Sequence, residues 1–381
     1  MSDSVATEAF DLGQIQANGE LIMLTVSGPQ TYYDYHGHEM GREYMLCQRF
    51  AERIGVRLRV EVCRDTMEMV RRLLGGDGDV VACPLRRGDL HLAGDSIKEV
   101  EFTKVGTDST GHWLISHVNS QLSDALDEWF RPSMLDDVVK EEHSLLTTRR
   151  VTRHVYSPML DRSAGVISRY DRLFMTYSRT IRWDWRLMAA QCYQESTFDP
   201  EARSWAGALG LMQIMPSTAQ QLGLPMEKIH DPESNIAAAA RYLGQLEAKF
   251  SDIPSRYERQ NFALACYNGG YHHIRDAMAL AARDGLNSKS WNVVSRYVLM
   301  LSQPRYYRDP IVKYGYMRGS ETVDYVYRIR QRWQGYSGVK GASSGLPPSA
   351  SAISESPVPS SSNQPHRAKH RKKKYILTPE E

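Results

Sequence analysis

The chain has 381 residues, 41% hydrophobic and 24% charged, with a formal net charge of +2. That length accommodates two domains of ordinary size, and the composition is that of a globular protein rather than a fibrous or disordered one. Six positive charges lie between Arg367 and Lys374, which leaves the rest slightly acidic and without the basic bias a nucleic-acid surface needs. No apolar run reaches the roughly 18 residues of a membrane-spanning helix.

The start, MSDSVATEAFDLGQ, has neither a basic nor an apolar region and does not read as a signal peptide; residues 1–19 are expected to be an N-terminal extension. Residues 20–131 read as an α/β unit. LIMLTVS (21–27), RLRVEVC (57–63), DVVACPL (79–85) and HWLISHV (112–118) have strand character. Helical stretches over 43–55, 66–76 and 119–130 alternate with them, which predicts crossover connections and a parallel sheet. Residues 132–169 are polar, basic and weakly periodic, and predict a linker with some helix.

From Tyr170 to Trp333 the pattern is helical throughout. Helices are predicted over 184–195, 216–222, 232–250, 258–268, 272–283, 290–301 and 320–333, with a Gly-rich break between 200 and 215. Residues 336–381 turn to Ser and Pro and then to the basic run HRAKHRKKK, a disordered tail by composition. Two readings of that run stay open: attachment to an anionic wall or membrane surface, or a solvated end.

Five cysteines lie far apart with no CxxC or Cys/His spacing, so they read as small buried hydrophobes rather than zinc ligands. His36-Gly37-His38 and His272-His273 read as surface histidines rather than a metal site. Trp291 and Trp333 read as core, Asp231-Pro232-Glu233 as a helix start, and Asn235 as a structural helix residue. Tyr306 and Tyr307 stay open between core and groove.

Glu195 is the candidate for chemistry on the first helix of this half. Asp184 is placed to cap the helix WDWRLMAAQCYQES, and Met188, Gln191 and Cys192 share a face with Glu195. A carboxyl ending a mostly apolar helix resists ionisation, through desolvation and through the helix dipole. A proton held there is what cleavage of a glycosidic bond requires. From this helix alone, a surface or ion-paired glutamate is the simpler reading.

Three segments in order change that: Glu195-Ser196, the run Ala206 to Pro216 (AGALGLMQIMP), and Ala265 to Gly270 (ACYNGG). Together they resemble the soluble-lytic-transglycosylase domain, a lysozyme-like family, over about residues 170–335. The segments Trp185 to Ser196, Trp291 to Ser302 and Tyr314 to Val326 resemble the membrane-bound lytic murein transglycosylases of type F.

The resemblance implies a mainly α lysozyme-like catalytic domain over 170–335. It implies Glu195 as the catalytic acid and base, and Ser204, Gln213, Met215, Tyr267, Asn268 and Tyr325 as substrate-binding or positioning residues. Cys266 stands where many relatives carry a small residue, and reads as packing rather than a nucleophile. The implied reaction is non-hydrolytic cleavage of the β-1,4 bond between N-acetylmuramic acid and N-acetylglucosamine in peptidoglycan, closing a 1,6-anhydro ring. It needs no second carboxylate, metal or cofactor. Asp199 and Glu201 are the nearby carboxylates in sequence, and Asp199 reads as a turn residue.

Residues 20–131 resemble one lobe of the periplasmic solute-binding proteins, with too little chain after the third strand for a second lobe. That analogy makes a peptide or muropeptide one candidate ligand of this domain; a docking or structural role is the other. The substrate implies a periplasmic or envelope location. Two competing functions are a lysozyme-like muramidase that uses water, and a non-catalytic peptidoglycan-binding or regulatory protein.

Overall fold

The computed structural model describes residues 11–90, 98–147, 161 and 165–337. The first ten residues of the expected extension, part of the expected linker and nearly all of the expected tail lie outside the described residues.

Residues 12–18 differ from expectation: they form helix α1 (Leu12–Asn18). Asp11 and Gln14 make a reciprocal capping box, and Gly19 closes the helix in the left-handed region. The Asp11 carboxylate also accepts from the Gln121 and Leu122 amides at 3.0 Å, and Ile15 is fully buried. One buried side chain in seven residues gives no period for a sequence reading to detect.

The N-terminal unit then runs β1 (Glu20–Val26), β2 (Tyr33–Tyr35), β3 (His38–Met40), α2 (Arg42–Ile54), β4 (Arg57–Cys63), α3 (Thr66–Leu74) and β5 (Val80–Leu85). It ends with β6 (Val100–Thr107), β7 (Gly111–Ser116), α4 (Ser120–Trp129) and α5 (Ser133–Thr147). The sheet order is β4-β1-β5-β7-β6. β1 pairs in parallel with β4 and β5, as crossovers through α2 and α3 require.

The expectation of a wholly parallel sheet is corrected at β5-β7-β6, where both pairings are antiparallel. β6 and β7 are joined by a tight turn closed by the Thr110 amide on Thr107 O, and a connection that short reverses the chain. Leu21 and Met23 face a core with Leu46, Phe50 and Trp113, whereas Leu24 faces Met69, Val70 and Leu73 of α3. Both faces of the sheet are thus covered.

β2 and β3 form a separate hairpin whose two-residue turn is His36-Gly37, with φ of 54° and 77°. Both central residues left-handed is the turn geometry that follows the natural twist of a hairpin.

The C-terminal unit is helical: α6 (Asp171–Thr180), α7 (Trp185–Ser196), α8 (Pro216–Gln221), α9 (Pro232–Ala248), α10 (Arg256–Gly269), α11 (Tyr271–Arg283), α12 (Trp291–Met300), α13 (Pro304–Tyr307) and α14 (Gly319–Ser337). One core runs through it, with Leu187, Phe250, Phe262 and Trp291 all at 0% exposure. α14 threads this core, so that even Arg330 is fully buried. Its guanidinium donates to Asn261 Oδ1 at 2.7 Å and to Tyr257 O at 3.1 Å.

His273 on α11 is also buried, and burial, with His272 adding to it, pushes it down to about 4. The unfolded chain binds this proton below about 6.5 and the folded chain does not. Stability is therefore present above pH 6.5 and lost as pH falls toward 4. At pH 5 the expected loss is about 2 kcal/mol. His273→Gln should flatten the fall of the melting temperature between pH 7 and 5; an unchanged profile would remove His273 as the cause.

The two units meet in a cluster of Tyr33 and Met40 from the hairpin with Tyr307 and Tyr316. The Tyr316 amide donates to Ser27 Oγ at 2.8 Å, just past the end of β1.

Candidate active site

Asp184 caps α7 by accepting from the Arg186 amide, and its other oxygen accepts from Trp333 Nε1 at 2.9 Å, which ties α7 to α14. Glu195 lies in the last turn of α7 and is half-buried. Thr197 and Phe198 follow in the left-handed region, with φ of 55° and 64°. Two such residues in succession turn the chain sharply away from the carboxyl, a strained geometry of the kind that gathers at functional sites. Ser196 is buried and donates to Leu211 O at 2.7 Å, which pins the helix end to the next segment.

That segment, 199–215, is held from below. Asn235 on α9 accepts from the Met212 amide at 2.8 Å and donates to Ile229 O at 2.7 Å. Gly210 lies against it with φ of 79°. Gln213 is left-handed too, and its Nε2 donates to Ala202 O and Gly210 O. Tyr267, near the end of α10, donates to Met212 O at 2.7 Å. Thr322 of α14 donates to Asn268 Oδ1 at 2.8 Å. Tyr325, one turn further along α14, donates to Glu195 Oε1 at 2.5 Å.

All seven expected residues, Glu195, Ser204, Gln213, Met215, Tyr267, Asn268 and Tyr325, line one cavity of about 740 Å³. Their surroundings differ. Ser204 Oγ accepts from the Ala208 amide at 2.9 Å and closes a turn. Gln213 is mostly buried, with its amide nitrogen directed at backbone rather than outward.

Burial, and then the charge of Glu195, push the Tyr267 and Tyr325 phenols well above the ordinary tyrosine range, so both stay protonated as donors. Asp199 is buried and accepts from the Glu201 amide, while Glu201 is an exposed neighbour of His230 at 3.7 Å. Neither lines the cavity, whereas three carboxylates of other elements, Asp34, Glu321 and Asp324, do.

The five cysteines are buried and unpaired, and burial raises the Cys266 thiol. Among the described residues, no group of three or more His, Cys, Asp or Glu could hold a metal ion. Trp291 is core, and Tyr307 belongs to the contact between the two units.

Sequence reasoning did not single out Trp205 or the hairpin residue Tyr35, and it placed Gln191 on the face of Glu195 without giving it a role. Gln191 is buried one turn before Glu195, beside Tyr325. Its i, i+4 spacing from Glu195 was the available signal. No local pattern marks Tyr35, because it reaches the cavity from the other unit.

The family model described as Transglycosylase SLT domain matches residues 172–288. Curated relatives named membrane-bound lytic murein transglycosylase F match most of the chain. The protein of Citrobacter koseri is 29% identical over 84% of this chain and 80% of its own. That of Aeromonas hydrophila subsp. hydrophila is 27% identical over 86% and 84%. Over most of its length the chain is thus similar to lytic murein transglycosylases, and its helical unit carries the SLT match.

Its SLT match ends before α12, so Tyr325 and the rest of α14 lie outside the matched span. Among solved structures, the arginine-bound form of domain 1 from TmArgBP is 19% identical over 32% of this chain and 97% of its own, at a TM-score of 0.26.

Proposed function

We propose that this enzyme cleaves peptidoglycan glycan strands between N-acetylmuramic acid and N-acetylglucosamine without water, with Glu195 as acid and then base. The observation that carries the reading is the Tyr325–Glu195 hydrogen bond inside a cavity also lined by Tyr267 and Asn268. Glu195 protonates the oxygen leaving C1 of the muramoyl residue. The carboxylate so formed takes the proton of the C6 hydroxyl as that oxygen closes on C1 to give the 1,6-anhydro product.

One carboxyl serving twice is ordinary general acid/base chemistry. A phenol donating to Oε1 fixes the carboxyl and stabilises its charge between the two steps. Tyr267, held by Met212 O, and Asn268, held by Thr322, give the glycan fixed neighbours. Ser204 and Met215 complete the wall, and Gln213 supports it through the backbone. No step in this scheme draws on a metal or cofactor.

Tyr325→Phe should lower the turnover rate roughly 10- to 100-fold, the worth of one charge-assisted hydrogen bond. Wild-type kinetics in that variant would remove Tyr325 from the scheme.

The substrate argues for a periplasmic or envelope location. In parallel strands, solutes bind beyond the carboxyl ends. Here Tyr316 and Tyr307 occupy that rim next to Ser27 and Gly28, so a peptide or muropeptide bound there would have to displace them.

A muramidase is the second reading, because Asp34, Glu321 and Asp324 line the same cavity and a hydrolase needs a second carboxylate. Digesting purified peptidoglycan and weighing the fragments tests the proposal. Anhydro-ended muropeptides are expected; products heavier by one water would favour the muramidase. Binding to the wall with no release at all would favour a non-catalytic protein.

A further inference from the structure

The hairpin β2–β3 belongs to the N-terminal unit, yet its turn lines the same cavity as Glu195. It touches both walls of that cavity. On one side the Tyr35 ring stacks on Trp205, with centroids 5.7 Å apart and planes 15° apart. Its neighbour His38 donates from Nε2 to Ala206 O. A side chain at position 37 would come within 3.4 Å of Met215 Cε.

On the other side, the Tyr35 hydroxyl donates to Glu321 Oε2, and His36 Nε2 lies 3.3 Å from the same oxygen. The Arg318 guanidinium lies 5.3 Å from the centroid of the Tyr35 ring. The turn therefore bridges the 205–215 wall and the start of α14. It is stiffened by an aromatic stack, a cation–π contact and hydrogen bonds at both feet.

We infer that this hairpin is a strap across the glycan groove that makes the enzyme cut near strand ends rather than internally. The inference rests on the activity proposed above. Glu321, one foot of the strap, precedes by one helical turn Tyr325, whose hydroxyl holds Glu195. One turn is about 5.4 Å along the axis. Glycan lying over Glu195 meets the strap after a short stretch, and the polymer cannot run on through a bridged groove.

A strand must then enter by its end, with the number of sugars beyond the cleaved bond limited by the room before the strap. Tyr35 and Trp205 are specificity-determining residues in this account: their stacked rings form the barrier. His38 and Glu321 are positioning residues that hold the barrier in place. The His36-Gly37 turn is required because only a tight left-handed reversal lets the hairpin tip fit between the two walls.

The test uses the full chain and long uncrosslinked glycan strands, with remaining polymer length and small anhydro products followed together. Wild type should release short anhydro fragments while the remaining strands keep nearly their starting length. Tyr35→Ala/His38→Ala should cut internally, so that at equal bond cleavage the mean polymer length falls several-fold below the wild-type value. Tyr35→Phe keeps the ring on Trp205 and loses the hydroxyl, and should stay close to wild type with a partial shift.

Rapid shortening of long strands by wild type would overturn the strap. So would an unchanged pattern in a double variant that still melts cooperatively and cleaves. Absence of anhydro products from wild type would instead refute the proposed activity, before the strap is reached.

Discussion

Glu195→Gln should reduce release of soluble fragments from peptidoglycan by about a thousandfold, within the 10²–10⁴ range of lost general acid/base catalysis. The substitution keeps the shape of the side chain and an oxygen for the Tyr325 hydroxyl, which now reaches Glu195 Oε1. It removes the exchangeable proton on which both halves of the reaction depend. The melting temperature should stay within a degree or two, because Glu195 sits at the end of α7 and is not part of the core. Initial rates alongside a thermal melt separate the two effects. Residual activity within tenfold of wild type would mean that another carboxylate of the cavity, such as Asp324, delivers the proton.

The second large effect concerns a residue that touches no substrate. Gly210→Ala should lower stability by more than about 3 kcal/mol, which for a domain of this size is roughly 6–12 °C of melting temperature. At φ of 79° an L side chain is strained by about 1–2 kcal/mol. The added Cβ would also fall 2.5 Å from Asn235 Nδ2 and 2.6 Å from Ile229 O. Relief requires moving Asn235, which holds the Met212 amide, and Met212 O holds the Tyr267 hydroxyl. Activity should therefore fall further than stability predicts. Gly207 is the control: its φ is 85°, but a Cβ there meets nothing within 4 Å, so Gly207→Ala should cost only the backbone strain. Equal effects at the two positions would show that the contact with Asn235 does not matter.

The contrast between these glycines marks where the sequence stops being informative. The motif AGALGLMQIMP points to a groove segment, but it cannot say which glycine abuts a side chain from a helix more than twenty residues away. Asn235 reads correctly as structural, yet its role depends on three backbone partners, two of them more than twenty residues away in the chain.

Long elements with a clean period were legible. α2 and α3 pair a buried face with an exposed one over whole turns, β1 is a short apolar run covered on both faces, β4 begins by alternating exposed with half-buried residues, and α9 to α12 are long enough for their burial to repeat. Short elements were not. β2 and β3 have three residues each, and α13 is a single turn, so no period exists to detect. β6 buries Val100, Thr103 and Val105, and its register shifts between Phe102 and Gly106, so no period of two runs along it. α6 and α5 bury few side chains and resemble polar linker by composition.

At the site, the residues on local motifs could be named beforehand, because each motif lies on one helix end or one loop. The contribution of Tyr35, His36 and His38 could not. It arises only when the hairpin of one unit is laid on the groove of the other, and a His-Gly-His triplet carries no mark of that contact.

The central claim is that the bond is broken by an internal hydroxyl and a single glutamate, with no water consumed. Digestion in water enriched in heavy oxygen tests it most directly. The account predicts anhydro-ended fragments that carry no label, at a rate that collapses with Glu195→Gln. One labelled oxygen in each new reducing end would contradict it, and would make the enzyme a hydrolase with a second carboxylate in the same cavity.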